Sequence, residues 1–191
     1  MSTGFVFEEL YLWHNAGSIT YGRQWVEQGE VWENPDTKRR FHSLLAASGY
    51  LAHLTPIPAR HATEEEILVF HTRPYLERIR AQSALEGGNA GDMAQFSKGS
   101  YEIATLSAGG VLSAVEAVME ERVKNSYCLV RPPGHHAVAD QGMGFCIFNN
   151  IVIAAHRARA LGCPKIAIIG ISMMHSCEGF RLFVVVFSLR L

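Results

Sequence analysis

Two histidines, His135 and His136, stand side by side behind Arg131-Pro132-Pro133-Gly134. Adjacent imidazoles on a Pro-Gly loop are poor packing material. Each needs a hydrogen-bond partner or water, and the loop fixes where both point. Histidine alone among side chains titrates unperturbed near neutral pH, so the pair suits the taking and giving of protons. A second block, Gly142-Met143-Gly144-Phe145-Cys146-Ile147-Phe148-Asn149-Asn150, follows closely. A merely structural role for both histidines is the weaker reading, because two imidazoles on one turn invite function. His14, His42, His53, His61, His71 and His156 are scattered and read as ordinary.

The elements that position this loop read as a βαβ unit. Tyr127–Val130 is a short apolar run that ends at the histidines, residues 149–161 carry a helical pattern stopped by Gly162 and Pro164, and Lys165–Ile169 reads as a second buried strand. Strand, loop, helix and strand imply a parallel sheet covered on both faces, with functional loops at the carboxyl ends of strands. Upstream, Gly4–Phe7 reads as a first strand, residues 13–36 as a long loop and residues 38–54 as a helix broken by Thr55-Pro56-Ile57-Pro58. Thr63 caps a helix with Glu66 completing a capping box. Arg73-Pro74-Tyr75 starts another helix, Gly87–Gly91 is a loop, and residues 100–123 hold the longest helical pattern. The Gly109-Gly110 pair inside it costs helix stability and points to close packing against a neighbour.

The 191 residues fit one domain with a normal globular mixture, 48% hydrophobic and 18% charged. A net charge of −1 gives no electrostatic case for nucleic acid or an anionic membrane. Cys128, Cys146, Cys163 and Cys177 form no CxxC pair and no disulfide framework, so free thiols in a reducing cytoplasm are expected. No secretory signal is expected, since Glu8 and Glu9 precede any long apolar run. The apolar stretch 180–191 is too short to span a bilayer and contains Arg181 and Arg190.

The blocks Arg131–Ala137 and Gly142–Asn150 resemble the histone deacetylase superfamily, most closely its bacterial class II-like amidohydrolases and acetylpolyamine amidohydrolases. Thr3-Gly4-Phe5-Val6 with Trp13-His14, Asn34-Pro35-Asp36 through Arg40, Ala62–Glu65 and Gly99–Ala104 add to the likeness, which runs from about residue 3 to 169. The resemblance implies a three-layer α/β/α, arginase-like fold around a mainly parallel sheet. It also implies zinc-dependent hydrolysis of an acetylated amine, either acetyl-lysine in a peptide or an acetylpolyamine. The family's zinc polarises the amide carbonyl and activates water. By motif position His135 and His136 would move the protons, with the base and the acid not distinguished. Gly144 and Phe145 would line the acyl tunnel, Cys146 would sit at its foot, and Arg40 would line an internal cavity. Asn34 and Phe7-Glu8 depart from the family's usual residues.

The family pattern then stops. Where it has Asp-x-Asp-x-His-His-Gly after the strand at 166–169, this chain reads Gly170-Ile171-Ser172-Met173-Met174-His175-Ser176-Cys177. Catalytic zinc needs three protein ligands plus water, and the family's three are missing, so no metal ligand is assigned and no bound zinc is expected. His175 and Cys177 do not match ligand positions. The expectation is a single incomplete domain over 1–191, C-terminally truncated or frame-shifted, with a divergent tail at 170–191. Phe183–Phe187 in that tail is β-prone, suited to a replacement edge strand or to aggregation. The chain is expected to be inactive alone. The alternatives are a non-catalytic remnant serving as a binding or oligomerisation module, and an enzyme completed by another chain. A homo-oligomer is compatible with each.

Overall fold

The structure, a computed structural model, describes residues 2–16, 33–173 and 180–188. It opens on strand β1 (Thr3–Val6), followed by a 3₁₀ turn (Glu9–Trp13). Helix α1 (Asp36–Ala47) ends earlier than the apolar pattern suggests: Ser48 caps it, Gly49 turns left-handed at φ +77°, and a 3₁₀ turn (Tyr50–His53) leads into strand β2 (Leu54–Pro56). No α1 residue is fully buried, and Leu44 is largely exposed. The Leu54–Pro56 segment, read as a helix end and breaker, instead pairs with β1.

The capping box at Thr63 forms as expected, its hydroxyl accepting from the Glu66 amide and the Glu66 carboxylate accepting from the Thr63 amide, and it starts α2 (Glu64–Leu68). Helix α3 (Arg73–Ala84) buries Tyr75, Leu76 and Ile79. The Gly87–Gly91 stretch, read as a loop, supplies two short strands, β3 (Gly87–Asn89) and the start of β4 (Gly91–Asp92). β3 pairs antiparallel with β5 (Gln95–Ser97).

Helix α4 (Ser100–Met119) is the centre of the molecule. It contributes Leu112 to a cluster with Ile67, Leu76, Ile147 and Phe148. It gives Ile103, Leu106 and Val118 to a second cluster with Val6 and Tyr11, and Val115 to a third with Ala154 and Ala158. It is long and apolar enough for a membrane span, but most of it is buried inside the fold, as a core helix is. The glycine pair marks its closest approaches. A Cβ at Gly109 would collide with the Arg60 carbonyl oxygen, and one at Gly110 with the Tyr11 hydroxyl. That hydroxyl donates to the Leu106 carbonyl at 3.2 Å.

Strand β6 (Asn125–Cys128) pairs parallel with β1, giving the parallel sheet order β2-β1-β6. After the histidine loop comes β7 (Gly142–Met143), paired parallel with β4, and then α5 (Asn150–Ala160), capped by the Asn149 side chain. Strand β8 (Lys165–Met173) departs from expectation. It is not in the β1 sheet and is not buried: Ile168 and Ile169 are 46% and 50% exposed. One edge of it pairs antiparallel with β9 (Phe180–Ser188), so the β-prone tail pairs as the edge strand its composition allows. His175 and Cys177 lie outside the described residues.

Replacing Gly109 by alanine is expected to force α4 away from the 60–62 segment and to cost about 1–3 kcal/mol. A lower urea midpoint with an unchanged slope is the expected result, and an unchanged midpoint contradicts the packing described.

Candidate active site

The histidine loop leaves the sheet at Arg131, and Arg131 is where it is anchored. This side chain is only 1% exposed. Its Nε and Nη2 donate to the two carboxylate oxygens of Glu33, both at 2.7 Å. Nη1 donates to the carbonyls of Tyr11 (3.0 Å) and Leu12 (3.3 Å), and Nη2 to those of His14 (3.0 Å) and Glu33 (3.3 Å). Arginine suits this place because its planar fork meets a carboxylate with two bonds and keeps donors for carbonyls. The Lys38 ammonium lies 3.7 Å from the same carboxylate, and burial holds it below its ordinary pKa.

The next residues are fixed from α4 and α5. The Pro132 carbonyl accepts from the Ser107 hydroxyl at 2.9 Å, and Asn150 Nδ2 donates to that hydroxyl at 3.0 Å. Gly134 is glycine because the backbone of Phe148 and Asn150 occupies the space of a Cβ. His135 and His136 follow, both half-buried, with ring centroids 4.2 Å apart.

The returning chain makes a tight turn over Met143–Cys146. Met143 and Cys146 exchange backbone hydrogen bonds at 3.2 and 2.8 Å, and the two residues between them, Gly144 and Phe145, have φ of +48° and +67°. Two consecutive positive φ values define a type I′ turn, unusual for phenylalanine. The Asp92 and Met93 carbonyls, at the end of β4, accept from the Gly144 and Phe145 amides at 2.9 and 2.7 Å and hold it. A Cβ at Gly144 would lie 2.7 Å from His136 Cδ2, so the imidazole lies against bare backbone. The Cys146 thiol is within 3.4 Å of the His136 amide, and burial pushes its pKa up to about 12. Burial thus favours the protonated thiol at neutral pH.

The structure therefore gathers His135, His136, Gly144, Phe145 and Cys146 in one place. It does not bring Arg40 there. Arg40 is exposed on α1, whose residues stay out of the core, and the arginine buried beneath the loop is Arg131. Sequence reading used Arg131 only as part of a motif and passed over Glu33, 98 positions away. It also passed over two buried histidines. His71 bridges the Ala139 carbonyl and the Asn149 amide, and His14 is buried with neither ring nitrogen hydrogen-bonded among the described residues. Burial holds both imidazoles down to about 4.

Among the described residues no three His, Cys, Asp or Glu side chains are gathered to hold a metal. Residues 170–172, where the resemblance implies carboxylates, are Gly, Ile and Ser. The described donor set does not fit the family's zinc. An open apolar groove of about 400 Å³, lined by Phe5, Phe7, His42, Leu51 and Ile57 among others, lies elsewhere and takes no residue from the histidine loop.

Comparisons with known proteins place the chain beside histone deacetylases. The family model of the histone deacetylase domain matches residues 31–184. The histone deacetylase-like amidohydrolase of Pseudomonas aeruginosa is 43% identical over 182 residues, covering 91% of this chain and 47% of that protein. The polyamine deacetylase HDAC10 of Danio rerio is 35% identical, covering 73% of this chain and 22% of that protein. The crystal structure of the HDA15 HD domain superimposes with a TM-score of 0.77 at 32% identity, covering 86% of this chain and 45% of that one. The chain thus spans less than half the length of these relatives.

Two outcomes follow from the buried charges. Replacing Arg131 by methionine strands the Glu33 carboxylate in the interior and is expected to cost about 3–5 kcal/mol by denaturant unfolding; a loss below 1 kcal/mol contradicts the pairing. His14 and His71 are neutral when folded, whereas the unfolded chain protonates them below about pH 6.5. Stability is therefore full above that pH, falls as pH drops toward about 4, and levels off below. Between pH 7 and 5.5 each imidazole is expected to remove about 1 kcal/mol. A urea midpoint that is flat across that interval contradicts the assignment.

Proposed function

The chain belongs to the histone deacetylase family, and we propose that its histidine loop is the proton-handling part of a site that hydrolyses the amide bond of an acetylated amine. One observation carries this reading: two half-buried imidazoles 4.2 Å apart, one lying against the bare backbone of Gly144 next to Phe145. Amide hydrolysis needs a proton taken from the attacking water and a proton given to the departing amine nitrogen as the carbon–nitrogen bond breaks. Two neighbouring imidazoles supply both roles. Phe145, held half-exposed in its strained turn, offers an apolar face for a substrate's alkyl chain, in keeping with an acetyl-lysine side chain or an acetylated polyamine.

The same reading holds the chain on its own to be inactive. Where the resemblance implies Asp-x-Asp, one carboxylate for zinc and one to orient a catalytic histidine, this chain has Gly170, Ile171 and Ser172. Proton transfer alone does not supply the electrophilic assistance that amide hydrolysis in this family relies on. Cys128 and Cys146, free thiols among the described residues, accord with a reducing cytoplasmic setting.

The test has two arms. The purified chain, titrated with Zn²⁺ and offered an acetyl-lysine peptide and acetylspermidine, is expected to show no stoichiometric zinc and no turnover above background. Tight equimolar zinc with turnover overturns the inactivity. Fusing residues 1–169 to the remaining part of the Pseudomonas aeruginosa relative is expected to restore hydrolysis. In that chimera His136→Ala is expected to lower kcat by about 10²–10⁴-fold with zinc still bound. Unchanged turnover refutes the proton-handling role.

A further inference from the structure

We propose that His71 is a positioning residue: its ring, held in one neutral tautomer, is the strut that sets the course of the chain carrying His135 and His136.

The argument begins with what each partner can do. Asn149 offers a backbone N–H, which only donates, and His71 Nε2 receives it at 2.8 Å. Ala139 offers a carbonyl, which only accepts, and it lies 3.1 Å from His71 Nδ1. These partners leave one arrangement, with the proton on Nδ1 and Nε2 bare. The same Ala139 carbonyl also accepts from the Thr72 amide at 2.9 Å. Asn149 in turn donates from Nδ2 to the Ala137 carbonyl at 2.8 Å and accepts from the Val152 amide to cap α5. One imidazole and one carboxamide thus join the outgoing limb of the loop, at Ala137 and Ala139, to its returning limb at Asn149. The two candidate proton-handling histidines immediately precede Ala137.

The strut is rigid because its surroundings are. His71 is 2% exposed, among the rings of Phe70, Tyr75 and Phe148 at 5.0, 5.3 and 5.4 Å. Of these, Tyr75 is titratable. Its hydroxyl donates to the Ile147 carbonyl at 2.7 Å, and burial holds it protonated well above its ordinary range. Arg78 caps the Tyr75 ring from 5.3 Å. No charged side chain is among the causes of the His71 shift: burial lowers it, and the Ala139 and Val138 carbonyls raise it. Protonating Nε2 would set one N–H against another and remove the acceptor of the Asn149 amide. The course of the loop is therefore linked to the charge on a residue outside it.

That this serves proton transfer rests on the function proposed above; the geometry of the strut does not, and the measurements below read it without any assay of turnover. In the ¹⁵N-labelled full chain at pH 7, long-range ¹H–¹⁵N spectra are expected to show His71 as the Nδ1–H tautomer, with the Asn149 amide protected from exchange. His71→Phe keeps the aromatic packing and removes both bonds. It is expected to speed Asn149 exchange at least tenfold and to shift the imidazole resonances of His135 and His136. His71→Gln, which can both accept and donate across the same gap, is expected to restore them. An Nε2–H tautomer in the unaltered chain overturns the proposal, as does a folded His71→Phe variant with unchanged exchange and unchanged His135 and His136 resonances. If His71→Phe does not fold, acid titration of the unaltered chain decides. Loss of Asn149 protection as His71 charges supports the strut, and charging without that loss overturns it.

Discussion

The histidine loop exists in its present form because a guanidinium is buried beneath it. An ion with 1% exposure has lost its water, and the interior returns that loss only through a complete set of partners. Arg131 obtains one by drawing in Glu33 and the carbonyls of Tyr11, Leu12 and His14. Such a pair is weak evidence for stability, since a well-packed apolar substitute often does as well. It is strong evidence for geometry. The fork has few acceptable arrangements, so the turn after β1, the segment before α1 and the end of β6 are held in one relation.

From that anchor the loop is assembled out of backbone hydrogen bonds and glycines more than side-chain contacts. Gly134 lets the loop pass against Phe148 and Asn150, and Gly144 lets the His136 ring lie on the chain. The positive φ of Phe145 is a local cost met by two carbonyls at the end of β4. These devices leave little room for alternatives. They place two half-buried imidazoles near each other.

How much of this was legible in the sequence depends on the range of the interaction. The capping box at Thr63, the stop after α5, the close approach at Gly109-Gly110 and the clustering of His135, His136, Gly144 and Phe145 are written within a few positions of one another, and all appear in the structure. The partners of Arg131 and His71 lie 98 and 78 positions away, and no periodicity encodes such a pairing. Motif matching assigned a buried arginine to Arg40, on a helix that turns out to lie at the surface, and passed over the one that is buried. The apolar run at 165–169 signals a strand but not its neighbours. A buried parallel strand and an exposed antiparallel one share that composition, and only the pairing with β9 distinguishes them.

The supports of the histidine loop also differ in origin from what lies beyond it. Glu33, His71, Ala90, Asp92, Met93 and Ser107 all precede the loop in sequence, and Asn149 and Asn150 close it. None of these supports comes from β8 or β9. Strand β8 touches the rest mainly through α5, and its ladder partner is β9. The backbone course of the loop is therefore held by residues outside β8 and β9. This chain keeps that loop with Gly170, Ile171 and Ser172 in strand β8.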